Sequence, residues 1–321
     1  SPRPFSFHPA ARYRLAMTFL ADSHTHFFSR RLFETLAASS PLAGSCEERI
    51  ERITRDLGIA LPAADPEEHL ARWLDELERH GVSHAVSFAS VSEENEVLAE
   101  LAYRARARLS FFAFVDPRRP EAARELARLL AQGSVRGALF FPAMHRYTLD
   151  GEEAARAFAV LAEHGAPALV HCGLLRIPLR ERFGLPRQID LECSNPLRLT
   201  GQADRFPSLP FVIPHFGSGF LRETLLLGAQ CANVYVDTSS SNTWMHTQPA
   251  RLTLADVFER ALKVFGPERI LFGTDSSTFP RGWRREILLI QREALGACGV
   301  REEDRARILG LNLAQLLKLS A

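Results

Sequence analysis

Short runs rich in β-branched and aromatic residues alternate along this chain with longer segments whose apolar positions recur every three or four residues. The short runs fall at 18–23, 83–88, 109–115, 135–141, 167–171, 210–214, 233–237 and 269–273. Helical periodicity marks 66–79, 93–107, 120–132, 152–164, 219–230, 251–265, 283–296 and 302–318. Eight strands alternating with helices predict an α/β fold, a distorted (β/α)8 TIM barrel. An open doubly wound sheet is the alternative. It is weakened because no G-x-G-x-x-G or phosphate-loop pattern follows any strand. Two connections are long, 24–82 and 172–209. Loops of that size are usually functional or contain helices of their own. Both leave the C-terminal ends of strands, the face on which a barrel carries its chemistry. The stretch 36–75 reads as a helical insertion after the first strand that roofs the site, and 172–190 as a substrate-side loop. No repeat or linker divides 17–321, which reads as one barrel.

Charge adds an exclusion. Lys+Arg is 39 against Asp+Glu 38, so nothing favours nucleic-acid or membrane partners. The cysteines are Cys46, Cys172, Cys193, Cys231 and Cys298, with no C-x-x-C pair, as expected of free thiols in a cytoplasmic protein. Cys172 reads as structural, facing away from the barrel axis. No apolar run approaches the ~18 residues of a membrane span. The first residues carry Arg3, Arg12 and Arg14, but a cleaved signal would remove the first strand. Residues 1–16 are therefore expected to be an extension or surface arm, with Met17 a natural start.

Metal-ligand residues sit at the strand ends. In ADSHTHF (21–27), His24 and His26 are two apart and share a strand face. ALVHCG (168–173) ends on His171, FVIPHFGSG (211–219) on His215 and ILFGTDSS (270–277) on Asp275. His24, His26, His171 and Asp275 form an N3O set suited to one divalent ion, most readily zinc, with manganese, iron or cobalt able to share such a site. His69, His80, His84 and His164 read as structural, and His8 and His246 lack supporting context. His145 follows the fourth strand and could reach a pocket.

Together these residues carry a family resemblance. The chain resembles the amidohydrolase superfamily, in the amidohydrolase-related branch that includes decarboxylases similar to aminocarboxymuconate-semialdehyde decarboxylase. The features are D-x-H-x-H from Asp22, VRGALFFP at 135–142, LVHCG, NPLRL at 195–199, PHFGSG, NVYVDTSS at 233–240, RILFGTDSS and ILGLNLAQLL at 308–317. The resemblance implies a distorted barrel, commonly a homodimer. It also implies metal ligation by His24, His26, His171 and Asp275, and a catalytic role for His215. Binuclear members bridge two metals through a lysine or acid on the fourth strand. Here the only lysines are Lys263 and Lys318, on late helices, and the fourth strand has no acid, so one metal is expected. The loop DSSTFPRGW after Asp275 departs from the usual short turn.

Two chemistries need the same residues. In hydrolysis of a small amide, lactone or ester-like substrate, metal-activated water attacks, Asp275 accepts a proton and His215 serves the oxyanion or leaving group. This is the first expectation. The alternative is decarboxylation of a small unsaturated or aromatic acid, with His215 or Asp275 moving a proton to carbon. A metal-free lactonase or a non-catalytic binding barrel is a third reading. An anionic substrate calls for arginine at the mouth. Arg176 and Arg146 lead there, with Arg180, Arg187 and Arg281 also near strand ends. Phe28, Trp244 and Trp283 are candidate apolar walls. Asp22 is the expected support for the ligands.

Overall fold

In the computed structural model, which describes residues 19–239 and 242–319, eight parallel strands follow one another around a sheet in chain order. They are β1 (Ala21–His26), β2 (His84–Phe88), β3 (Leu109–Val115), β4 (Gly137–Phe140), β5 (Ala168–Val170), β6 (Phe211–Ile213), β7 (Val234–Asp237) and β8 (Ile270–Leu271). The chain beyond β8 runs back beside β1. Ser23 N–H donates to Phe272 O at 2.7 Å, Asp275 N–H to His24 O at 2.9 Å and His26 N–H to Ser276 O at 2.8 Å. The sheet thus becomes the expected (β/α)8 barrel. The expected extension 1–16, Met17 and residue 18 lie outside the described residues.

The strands were readable because they are covered on both faces, so apolar residues run on instead of alternating. Every residue of β3, LSFFAFV, is buried. The barrel is distorted where the chemistry sits. The β1–β2 register slips between Asp22 and Thr25. β1 also runs on to His26, past the expected end at 23, whereas β5 stops at Val170 and β8 at Leu271, so His171 and Asp275 lie just beyond regular pairing. Outer helices follow the expected segments at Glu94–Ala105, Ala122–Ala131, Glu152–His164, Leu221–Gln230, Leu254–Phe265 and Arg285–Ala297. No helix among the described residues is long and apolar enough to cross a membrane.

The connection after β1 folds as α1 (Arg30–Ala38), α2 (Cys46–Leu57) and α3 (Pro66–Arg79), beginning before the expected 36–75. Its boundaries follow from local chemistry. Ser45 and Glu48 form a reciprocal capping box at the start of α2, and Gly58 ends it in the left-handed region. Asp65 caps α3, with Pro66 at its first turn. Leu32, Phe33 and Ile53 build a small core of their own with Leu179 and Phe183 from the loop after β5. Ser40 Oγ–H also donates to Phe183 O at 2.6 Å. The two long connections therefore hold each other over one side of the barrel mouth.

The last expected helix, 302–318, is broken. Glu302–Ala306 passes through a wide turn at Arg307–Leu311 into Asn312–Leu316. The break lets Gly310 press against the Phe19 carbonyl, where any Cβ would collide. It also aims Asn312 Nδ2–H at the carbonyls of Pro267 (2.7 Å) and Ile270 (2.8 Å). Propensity alone predicts one helix there. The need to close the base of the barrel overrides it.

Candidate metal centre and active site

His24 and His26 project from β1 into the barrel mouth, where Asp275 meets them. His24 Nε2 lies 3.6 Å and His26 Nε2 3.5 Å from Asp275 Oδ1. These separations are long for hydrogen bonds. They suit two donors of one ion, since ligands ~2.1 Å from a tetrahedral cation stand about 3.4 Å apart. The other ring nitrogens are engaged behind the site. His24 Nδ1 is 2.7 Å from Asp237 Oδ2, and His26 Nδ1 is 3.0 Å from Ser90 Oγ. Asp275 itself sits at φ 61°, a left-handed conformation that aspartate tolerates better than most residues. His24, His26 and Asp275 thus offer a compact donor set, all within 4.8 Å of one another.

His171 faces the same cavity but stands outside that compact set. Its ring stacks on Phe141, 5.3 Å between centroids, and approaches His215 edge-on at 5.2 Å. His215 lies 4.8 Å from His24, ring to ring. Its backbone is strained: His215, Phe216 and Ser218 have φ of 55°, 52° and 44°, with Gly217 and Gly219 also positive. Left-handed non-glycine residues cost of order 1–3 kcal/mol each and gather at functional sites. Gly173 allows the turn to seat, because a Cβ there would strike the carbonyls of Gly217 and Ser218.

Electrostatics favour a cation. Burial opposes ionisation of Asp275, but contact with His26 and the nearby His215 and His24 hold its carboxyl well below the ordinary range. Burial lowers His26 and His215, and takes His171 well below the usual histidine value. Burial also works against protonation of His24, yet the charge and hydrogen bond of Asp237 raise it overall. Neutral imidazoles at His26 and His171 facing an ionised carboxylate are the donor states a divalent ion requires, and a bound cation would displace any proton from His24 Nε2 while Nδ1 stays on Asp237, so the residues fit the metal that the resemblance implies.

Above the cluster opens a cavity of about 770 Å³. Phe28, Leu139, Phe141 and Phe279 give it apolar walls, while Arg176, Arg180, Arg281 and Arg284 bring positive charge to it. α1 and the end of α2 contribute Leu32, Leu36 and Leu57. Of the expected substrate residues, Phe28, Arg176, Arg180 and Arg281 line this space, and the structure places Arg146, His145, Trp244, Trp283 and Arg187 elsewhere. Arg146 ends the short helix Pro142–His145 at φ 55° and is exposed away from the cavity. His145 packs edge-on against Phe114 at 5.2 Å, and burial lowers its pKa to about 4. Trp244 is fully buried in the turn Asn242–Thr247. Trp283 is also buried, and its Nε1–H donates to Asp22 Oδ2 at 2.7 Å. Arg187 lines a neighbouring, smaller cavity.

Asp22 supports the ligands differently from the expectation. It accepts from the backbone N–H groups of His24 and Thr274 at 2.9 and 3.1 Å, tying β1 to the chain after β8, and does not touch an imidazole. Burial raises its pKa to about 6. The residues missed from sequence are Asp237, Ser239, Ser90 and Glu94. Asp237 ends β7, the one available signal, because it occupies the same strand-end position as the candidate ligands. Glu94 is buried, accepts from Ser29 N–H, Ser29 Oγ–H and Ser90 N–H at 2.6–2.8 Å, and so braces the serine behind His26.

Comparison with known proteins agrees with the barrel fold. No curated protein sequence matches the chain. Among solved structures, 5-carboxyvanillate decarboxylase from Sphingomonas paucimobilis superposes with a TM-score of 0.66 at 15% identity, covering 94% of this chain and 100% of that one. A dihydroxybenzoic acid decarboxylase from Polaromonas, solved with manganese and the inhibitor 2-nitroresorcinol, gives 0.62 at 18%, covering 95% and 98%. A probable 2-pyrone-4,6-dicarboxylic acid hydrolase from Acinetobacter baumannii gives 0.59 at 14%, covering 93% and 99%. At such identities the structures establish the barrel alone. Lineage comes from the family model for amidohydrolases, which matches residues 21–319, and the chain belongs to that family.

Proposed function

We propose that this amidohydrolase is a metal-dependent carboxy-lyase that removes carbon dioxide from a small aromatic or unsaturated carboxylic acid. The observation that carries the reading is the charge of the cavity. Among the described residues, Arg176, Arg180 and Arg281 line it with no acidic side chain at ion-pair distance. Arg180 is half-buried, and burial lowers the pKa of its guanidinium. A desolvated cation without a counter-ion in an apolar chamber favours an anionic ligand, and a guanidinium fork matches a carboxylate. Two of the three structures described above carry decarboxylase names, which supports this reading over hydrolysis, the first expectation from sequence.

His24, His26 and Asp275 would hold the ion, with His171 facing the same space. When bound, a divalent ion supplies positive charge to polarise the substrate's oxygens. One ion is proposed, zinc or manganese, because β4 offers no bridging acid and Lys263 pairs with Glu259 on an outer helix. Phe28, Phe141 and Leu139 would hold a flat ring and exclude water from the scissile carboxylate. His215 would carry the proton. Its Nδ1 faces Ser239, which leaves Nε2 to serve the substrate. Nε2, unprotonated at rest, would take up a proton from solvent before the substrate binds; the C–CO2 bond then breaks, its electron pair returns to carbon, and that proton completes the product. A group whose pKa burial has lowered gives up its proton readily.

The test is turnover of a panel of hydroxybenzoates and unsaturated acids by zinc- or manganese-loaded protein, in D2O and separately in 18O-labelled water. Carbon dioxide release with one deuterium on the product carbon and no 18O in the organic product is the expected result. Incorporation of 18O into a ring-opened or de-esterified product would replace this reading by hydrolysis.

A further inference from the structure

Behind the site, a carboxylate and a hydroxyl touch both working histidines. Asp237 closes β7 and is fully buried. Its Oδ2 lies 2.7 Å from His24 Nδ1. Its Oδ1 accepts from Ser239 N–H at 2.6 Å and also from Ser239 Oγ–H. The Ser239 hydroxyl is in turn 2.9 Å from His215 Nδ1 and 3.1 Å from His24 Nδ1, and Ser239 O is 3.1 Å from His215 Nδ1.

Proton counting makes this arrangement directional. A serine hydroxyl has one proton to give, and an ionised carboxylate can only accept. The Ser239 proton therefore goes to Asp237, a charge-assisted bond stronger than one to a neutral imidazole. The oxygen can then only accept from His215. The Ser239 carbonyl can likewise only accept, so His215 Nδ1 must carry hydrogen. His24 Nδ1 faces a carboxylate oxygen and must carry hydrogen too. Both rings are thereby set as Nδ1–H tautomers, with both Nε2 lone pairs directed away from the Asp237–Ser239 side.

We infer that Asp237 and Ser239 are a shared positioning pair: one buried carboxylate fixes the tautomer of the candidate ligand His24 directly and, through the serine hydroxyl, that of the proton carrier His215. The role given to His215 rests on the function proposed above, whereas the tautomers do not. The two variants should separate. In Asp237→Asn, Ser239 N–H still demands an acceptor at Oδ1, so the amide nitrogen turns to His24 Nδ1. His24 must then move its hydrogen to Nε2 and lose its lone pair to the cavity. Zinc affinity should fall ~10–100-fold, the usual range for loss of a partner behind a metal ligand. In Ser239→Ala, the Asp237–His24 bond is kept. Zinc affinity should stay within about threefold, while His215 loses its link to Asp237 and kcat falls at least ~10-fold with KM little changed.

The experiment combines zinc competition against a chromophoric chelator with 15N spectra of the histidine rings in zinc-loaded, [15N]histidine-labelled protein. Near-UV circular dichroism serves as the folding control. The expected wild-type spectrum shows His215 protonated at Nδ1 and not at Nε2, and that preference weakens in Ser239→Ala. His215 protonated at Nε2 in the wild type would overturn the inference. So would wild-type zinc affinity in Asp237→Asn, or equal zinc loss in both variants, which would reduce the pair to packing. Tautomers as expected, combined with a His215→Asn variant that still turns over substrate, would refute the proposed chemistry and leave the positioning pair standing.

Discussion

Gly273 is where the ends of β1, β7 and β8 crowd together, and adding one methyl group there tests how tightly the site is set. A Cβ on Gly273 would lie 2.9 Å from His24 Cβ, 2.9 Å from Ser239 Cβ and 3.2 Å from Ser23 Oγ. Carbon atoms pack at ~3.5–4.0 Å, so the shortfall is at least about 0.6 Å on two sides at once. Gly273 cannot simply withdraw. Its N–H donates to Thr238 Oγ1 at 3.3 Å, and its carbonyl accepts from Gln291 Nε2 at 3.1 Å. Overpacking of this kind costs about 1–3 kcal/mol. The chemical consequence is larger. Asp275 follows two residues later, and a metal site tolerates only ~0.2 Å in its ligand distances. Gly273→Ala should therefore weaken zinc binding at least ~10-fold, read by chelator competition, and lower the unfolding free energy of metal-free protein in urea. Gly296→Ala is the control. It lies within the helix Arg285–Ala297 with nothing near its would-be Cβ, and should be neutral or stabilising by up to ~1 kcal/mol. If Gly273→Ala bound zinc like the wild type, the close approach of β1 and the chain after β8 would not be what sets the donors.

Other consequences can be measured independently. His84 is buried beside Ser110 (Nε2 to Oγ, 2.9 Å), and burial lowers its pKa from 6.5 to about 4. The folded state then binds fewer protons than the unfolded chain, so stability is lost as pH falls through 6.5 towards 4. Between pH 8 and pH 5 the wild type should lose about 2 kcal/mol more than His84→Gln in urea titrations, and parallel curves would refute this. Arg180→Met should raise KM for an anionic substrate roughly 10–100-fold, the value of one charge-assisted hydrogen bond. The same change relieves a half-buried charge that has no ion-pair partner among the described residues, so the thermal midpoint should not fall. Trp283→Phe removes a donor from buried Asp22 and should cost about 1–3 kcal/mol in unfolding free energy.

What could be read from sequence and what could not differ in a physical way. A strand buried on both faces announces itself by composition, and a barrel strand delivers the residue at its C-terminal end to the mouth by construction. His24, His26, His171, His215 and Asp275 were therefore legible as neighbours around one cavity, because each lies on its own strand or within a few residues of that strand's end. Residues positioned by a turn or a distant partner were not. Arg146 and Arg176 both follow strand ends. Arg146 is turned outward at φ 55° by the short helix before it, while Arg176 lines the cavity. Trp283 looked like a wall and is instead a donor to Asp22, 261 residues away in the chain. Asp237 meets His24 across 213 residues. Local pattern cannot carry such pairings, since they exist only once the ring has closed and brought β7 and the chain after β8 against β1. The approximate position of each candidate ligand is thus a property of its own strand, whereas its protonation and aim belong to the closed barrel. Substitutions at the supporting positions should accordingly alter metal affinity and proton transfer while leaving the pattern of strands and helices intact.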